Sequence, residues 1–377
     1  MAKRRGNHEG SLYRRKDGLW CAQVSLNGRR LYKYSKTRAA ARGWIKEILA
    51  KIDGGLTYLS TQITLEQFMR TWLDDKNLSI RASTAKGYRG TAERDILPFL
   101  GKMRLQQILP VHIKQLYAWM NEEGKGPRMI QLAHVILHAA LQQAVREGIL
   151  GRNPADAVER PKVERKEFQI LNEEQAHQFL ITASGSPFKT LFYLALTTGM
   201  RKGELLGLKW SDLDFSKGIL LVQRQLQQIS GRSSLVPPKT KAGHRQIKLG
   251  PETLKRLTAL RAQQEQMKVA AGDQWHENGM VFTSTVGTFL DQSKVSREFK
   301  KVLKNAGLPL IRFHDLRHTS ISFLLEMGMP VNTVQQRSGH SKASVTTDIY
   351  GHPMEHSQEE AAEKIEEMVT PIAVDLQ

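Results

Sequence analysis

Apolar and polar positions alternate between residues 10 and 34, with Trp20, Ala22, Val24 and Leu26 on one side of a strand. Asp17-Gly18 and Asn27-Gly28 are two-residue turn signals, so the stretch predicts a three-stranded antiparallel sheet. The period then lengthens. Thr37 offers an N-cap, and Trp44, Ile45, Ile48, Leu49 and Ile52 form a helical stripe able to cover the sheet before Gly54-Gly55 ends the unit. Residues 1–60 are expected to form a small β3α module whose opposite face presents Arg14, Arg15, Arg29, Arg30 and Lys33.

Residues 63–155 read as helical throughout. Thr64 with Gln67 makes a capping box, and Leu65, Phe68, Met69, Trp72 and Leu73 give the i, i+3, i+4, i+7, i+8 pattern of a buried helix face. Further helices are expected near 84–97, 111–121 and 129–147, the last with a core stripe of Ile130, His134, Leu137, Leu141 and Val145. Two prolines, alternating charge and the lack of an apolar period predict an extended segment from Asn153-Pro154 to Phe168, with the linker proper at 156–168. Asn172 with Gln175 then opens a region that mixes helices with short strands at 219–223, 235–239 and 245–249. The expected fold class is multidomain: a β3α module, an all-α domain, and a mixed α+β domain, mainly helical with a small antiparallel sheet.

Charge narrows the partner. The 377 residues hold 56 Lys and Arg against 37 Asp and Glu, a formal net charge of +19, which favours a polyanion bound with strong salt dependence. An anionic membrane is the competitor of nucleic acid, but no apolar run reaches the ~18 residues needed to span a bilayer, and no signal-peptide core is found near the start. A cytoplasmic protein without membrane association is expected. Cys21, the single cysteine, excludes an intramolecular disulfide and any cysteine-cluster metal site. Residues 1–60 carry 14 basic and 4 acidic side chains, whereas 355–377 carry 1 and 7. A basic amino terminus can hold DNA; an acidic tail suits contact with protein.

Candidate chemistry gathers in the second half. TGMRKGELL contains Arg201, PPKTKAGHR contains Lys239, HDLRH carries His314 and Arg317, and RSGHSKASVTTDIYGH carries His340 and Tyr350. Five groups able to stabilise phosphate charge accompany one phenol, a combination suited to phosphodiester chemistry with Tyr350 as nucleophile. A phenol with a pKa near ~10 needs cationic surroundings to become an oxyanion. Two guanidinium groups, Arg201 and Arg317, suit clamping of nonbridging oxygens. Lys239, at a hairpin tip, suits protonation of the leaving 5′ oxygen, with Lys241 on the same strand face as the rival. Glu204, three positions after Arg201, can orient that guanidinium, and His318 reads as a supporting residue. His314 and His318 also imitate the zinc-protease HExxH pattern, but Asp replaces Glu and no third ligand is evident.

The order and contexts of these motifs resemble the tyrosine recombinase (phage integrase) family, and the resemblance runs along nearly the whole chain. It implies a catalytic set of Arg201, Lys239, His314, Arg317 and His340, with Tyr350 as the 3′-phosphotyrosyl nucleophile and no requirement for cofactor, metal or ATP. It implies an arm-type DNA-binding domain at 1–60, a core-binding domain at 63–155, a catalytic domain at 169–356, and a tail at 357–377 that docks on a neighbouring protomer. The partners it implies are double-stranded attachment-site DNA of core and arm type, three further copies in a tetramer, an excisionase and a host DNA-bending protein. Ser338 departs from the family, which usually has Leu before Gly-His. Integration and excision of a mobile element is the expected function. The alternatives are a DNA-binding regulator retaining the fold, or a Xer-like resolvase or type IB topoisomerase-like enzyme.

Overall fold

The computed structural model describes residues 10–26, 29–53, 63–163, 168–229, 231–238, 240–341 and residue 365. Lys239, Tyr350 and the expected tail helix lie outside them, residue 365 apart. The chain divides into two compact units, residues 1–165 and 166–377.

Within the first unit, β1 (Ser11–Arg14), β2 (Trp20–Leu26) and β3 (Arg29–Ser35) form an antiparallel sheet in that order, and α1 (Arg38–Asp53) follows. Thr37 Oγ1 accepts from Ala40 N at 3.3 Å, the expected cap. Ala22, Val24, Ala41, Ile45 and Ile48 make the small core, with Leu12, Trp20, Leu31, Trp44 and Leu49 packed against it.

The register corrects the expected basic face. Directly paired residues point to the same side of a sheet, and successive residues to opposite sides. Arg14 pairs with Trp20 and Lys33 with Ala22, so these two positions are on the side of α1, and the side chain of Arg29 lies outside the described residues. Residues adjacent in a regular strand cannot share a face, and Arg30, opposite Ser25, falls on the open side. That side instead carries Tyr13, Tyr32 and Tyr34, each about half exposed, with Cys21 fully buried in register between Tyr13 and Tyr34. Arg15, in the turn, joins it by laying its guanidinium 4.7 Å above the Tyr34 ring.

The helical block has its own core. It comprises α2 (Leu65–Ser79), α3 (Ala82–Thr91), a π-helical turn at Ala92–Ile96, α4 (Leu97–Leu100), α5 (Pro110–Glu122) and α6 (Pro127–Arg146). Thr64 and Gln67 form the reciprocal capping box, and all five stripe residues of α2 are buried. The extended reading of 153–168 fails at its start. Asn153 caps a 3-10 turn at Pro154–Ala157, and Ala155 and Val158 join the helical core. The Asn153 amide donates to the His138 carbonyl at 3.1 Å, and His138 Nε2 lies 2.7 Å from Asp156 Oδ1. His134 is core, as its stripe implied, and its imidazole bonds the Tyr117 hydroxyl; burial holds its pKa below the ordinary value.

In the second unit α7 (Glu173–Ala183), α8 (Lys189–Thr198), α10 (Pro251–Ala271), α11 (Gln292–Asn305) and α12 (Asp315–Glu326) surround an aromatic core of Phe179, Phe192, Phe299 and Phe313. Short α9 (Lys202–Leu206) and α13 (Val331–Ser338) carry the ends of the site. Two antiparallel sheets appear where one was expected: β4 (Leu213–Asp214), β5 (Ile219–Val222) and β8 (Arg245–Lys248) in the order β4-β5-β8, and a hairpin of β6 (Gln225–Ile229) with β7 (Arg232–Val236). Gly207 lets α9 reach β6, since a Cβ there would stand 2.8 Å from Gln225 Cα and Leu226 N.

Candidate active site

The site grows from helix ends. Apolar α8 stops at Gly199, and Arg201 then takes the extended backbone of an N-cap ahead of α9. Glu204, three residues on, returns its carboxylate to that cap: Oε2 accepts from Arg201 N at 3.0 Å and Oε1 from Arg201 Nη1 at 2.7 Å. Glu204 is 2% exposed. Burial pushes its pKa up, but Arg245 and Arg201 outweigh that effect and hold it below the usual carboxylate range.

Arg317 lies in the first turns of α12 and is also buried, donating from Nη1 to the Gly199 carbonyl at 2.7 Å. Asp315 anchors the start of the same helix by accepting from Arg312 N, Nε and Nη2. His314 is the N-cap residue, and its ring meets His318 edge to face at 5.1 Å; Phe168 stacks on the other side of His318 at 4.1 Å. At the far end α13 terminates in Gly339, whose left-handed backbone (φ +69°) turns the chain into His340. A Cβ at Gly339 would lie 2.8 Å from the Ala242 carbonyl oxygen, so only glycine fits there without displacement. Arg201 Nη2 reaches the Gly339 carbonyl at 3.2 Å, tying the two motifs across 138 residues of sequence.

Electrostatics match the geometry. Burial first, then Arg317 and Arg201, lowers the His314 pKa. His318 is pushed down to about 4 by burial and then by His314. His340 is also pushed down to about 4, by burial and then by Arg317, Arg201, His318 and Arg245. Neutral imidazoles among guanidinium groups form a cluster suited to an anion, which would supply the missing negative charge.

Of the residues expected from sequence, Arg201, Glu204, His314, Arg317, His318 and His340 therefore share one neighbourhood. Lys239 and Tyr350 lie outside the described residues, and so does the side chain of Lys241. Ser338 is buried at 2% exposure and its hydroxyl donates to the Gln335 carbonyl at 3.1 Å. Arg245 and Arg337 were missed. Arg245 pairs its Nη2 with Glu204 Oε2 at 2.9 Å, and Arg337 ties α13 to the Thr197 and Lys248 carbonyls at 3.1 and 3.2 Å. A signal for the first was available: on a strand, Arg245 has the same parity as buried Ile247, and an inward arginine needs a carboxylate.

The phage integrase family matches residues 169–356, and the phage integrase N-terminal SAM-like domain matches residues 64–120. A "Tyrosine recombinase XerC-like" protein of Caldanaerobacter subterraneus subsp. tengcongensis is 32% identical over 365 residues, covering 91% of this chain and 93% of that one. Among solved structures, the integrase of transposon Tn1549 in complex with transposon right end DNA superposes with a TM-score of 0.67 at 22% identity, covering 80% of this chain and 99% of that one. A lambda integrase tetramer bound to a Holliday junction gives 0.58 at 22%, covering 94% and 99%. At these identities the structures show likeness of fold. No helix of the described residues is long and apolar enough to cross a membrane.

Proposed function

Because this chain belongs to the phage integrase (tyrosine recombinase) family, we propose that it is the recombinase of one mobile element, cutting and rejoining attachment-site DNA through a 3′-phosphotyrosyl bond at Tyr350. The observation that carries this reading is the convergence of Arg201, His314, Arg317 and His340, four groups able to donate to phosphate, in surroundings that keep the imidazoles neutral.

Tyr350 Oη, as the phenolate that cationic surroundings favour, attacks phosphorus, and the charge that develops on the nonbridging oxygens is met by the guanidinium groups of Arg201 and Arg317. His314 and His340 donate hydrogen bonds to the same oxygens. The bond to the 5′ oxygen breaks as Lys239 delivers its proton, leaving a 5′-hydroxyl and a 3′-phosphotyrosyl ester. Attack by the 5′-hydroxyl of another strand reverses these steps, so the phosphodiester energy is retained throughout. Assembly of four copies on two duplexes is supported by the lambda integrase tetramer on its junction, and a mobile-element role by the transposon integrase on transposon-end DNA. The XerC-like name of one relative favours dimer resolution as the second reading. The β3α module supports the first, because it can hold a second class of DNA site.

A nicked duplex carrying the element's own attachment site traps cleavage, since the short strand diffuses away. Wild type should give a protein-DNA adduct on a denaturing gel and Tyr350→Phe none. Equal binding by both proteins with no adduct from either would instead identify a DNA-binding regulator.

A further inference from the structure

Arg245 opens β8 with its side chain only 6% exposed. A guanidinium so buried requires acceptors and a counter-charge. Nη2 donates to Glu204 Oε2 at 2.9 Å, Nε to the Arg337 carbonyl at 2.7 Å, and Nη1 to the Gly243 carbonyl at 3.2 Å. These acceptors belong to three separate segments: α9 directly after Arg201, the end of α13 directly before His340, and the 3-10 turn Lys241–Gly243 that follows Lys239 in sequence.

The contacts close into a ring. Arg245 binds one oxygen of Glu204, Arg201 binds the other, and Arg201 returns to α13 through the Gly339 carbonyl while Arg245 holds the carbonyl of Arg337 two residues earlier. The missing Cβ of Gly339 leaves the Arg245 side chain pressed on that turn, since a methyl group there would stand 3.0 Å from Nη1. The α13 carbonyls also carry the partial negative charge of a helix C-terminus, which with Glu204 offsets part of the guanidinium charge.

We propose that Arg245 is a positioning residue for strand cleavage: it fixes Arg201 and the His340 segment relative to each other through the shared Glu204 carboxylate and the end of α13. The proposal rests on the recombinase reading above. Three of the five N–H groups of Arg245 are bonded to protein and its side chain is 6% exposed, so the role assigned to it is to hold Arg201 rather than to contact the phosphate. Without Arg245, Glu204 would keep Arg201 as its one partner among the described residues, and the end of α13 would lose one of the three guanidinium groups, those of Arg201, Arg245 and its own Arg337, that tie it to neighbouring segments. Misplacement of a reacting geometry by about 1 Å can cost roughly 100-fold in rate.

The test compares the full chain as wild type, Arg245→Gln, Arg245→Lys, Glu204→Gln and the Glu204→Gln/Arg245→Gln double variant. Single-turnover adduct formation on the nicked duplex is measured at saturating protein, with duplex affinity and melting temperature alongside. Arg245→Gln should cleave about 10- to 100-fold more slowly with affinity within about threefold of wild type, a split that general destabilisation does not produce. Arg245→Lys should recover little, because one ammonium cannot span three acceptors laid out for a planar fork. The double variant should be no slower than its slower parent, since both changes break the same link. Cleavage by Arg245→Gln at the wild-type rate, a rate loss matched by lost affinity, or multiplying losses in the double variant would each overturn the proposal. Failure of both Arg245 variants to fold would overturn it too, assigning the residue to stability. A wild type that forms no adduct would count against the recombinase reading before any variant is compared.

Discussion

The imidazoles of this site are tuned by burial more than by neighbouring charge, whereas at Glu204 the paired arginines prevail over burial. His318 and His340, at about 4, sit well below the ordinary histidine value near 6.5. A group whose folded pKa is depressed binds fewer protons folded than unfolded, so stability is complete above about pH 6.5 and falls as the pH drops toward 4. Glu204 contributes with the same sign but lower down, its stabilisation being lost only as pH falls through a folded value below the usual carboxylate range. The melting temperature of the free protein should therefore decline between pH 7.5 and 5, and His318→Gln should flatten the decline. A melting temperature indifferent to pH over that window would show that these imidazoles are not held neutral by the fold. Sequence alone could bring the residues together through their motifs, but not their protonation, which depends on neighbours as distant in sequence as Arg201 and His340.

Among the elements, the three-stranded sheet makes the sharpest prediction. Its open face is aromatic, with Tyr13, Tyr32 and Tyr34 accompanied by Arg15 and Arg30, while Arg14 and Lys33 sit on the side of α1. If this face meets the arm-type duplex, Tyr32→Ala combined with Arg30→Ala should weaken arm-site binding by at least about tenfold, from contacts worth roughly 1–3 kcal/mol each. Arg14→Ala with Lys33→Ala should change it less than about threefold. The reverse ranking, measured by gel shift on an isolated arm site, would return the interface to the basic edge. Strands of this module were legible because their alternation was unbroken, and α2 because five apolar side chains recurred at helical spacing behind a capping box. The face was misjudged because arginines adjacent in sequence were grouped by charge, against the two-residue period of a strand. Strand β6 was missed because QLQQI offers only two apolar residues, and the turn at Pro154–Ala157 because its burial depends on His138 and Gln142 from a distant part of α6.

At the scale of the whole molecule, charge and modularity govern behaviour. A net +19 concentrated toward the amino terminus makes binding to a duplex largely a matter of releasing counterions. Neutralising six to ten phosphates would lower affinity by about 10³- to 10⁵-fold between 50 and 200 mM salt. Fluorescence anisotropy across that range should give a steep linear log-log plot; a slope shallower than about −2 would mean that few phosphates are engaged. Among the described residues the hydrophobic interior is split among three clusters that share no residue, so heating need not melt the chain in one step. Cys21, the sole thiol, belongs to the smallest part, hidden beneath the rings of Tyr13 and Tyr34. Its alkylation by a maleimide thus becomes a clock for the amino-terminal module alone, slow while the sheet is closed and silent about the rest of the protein.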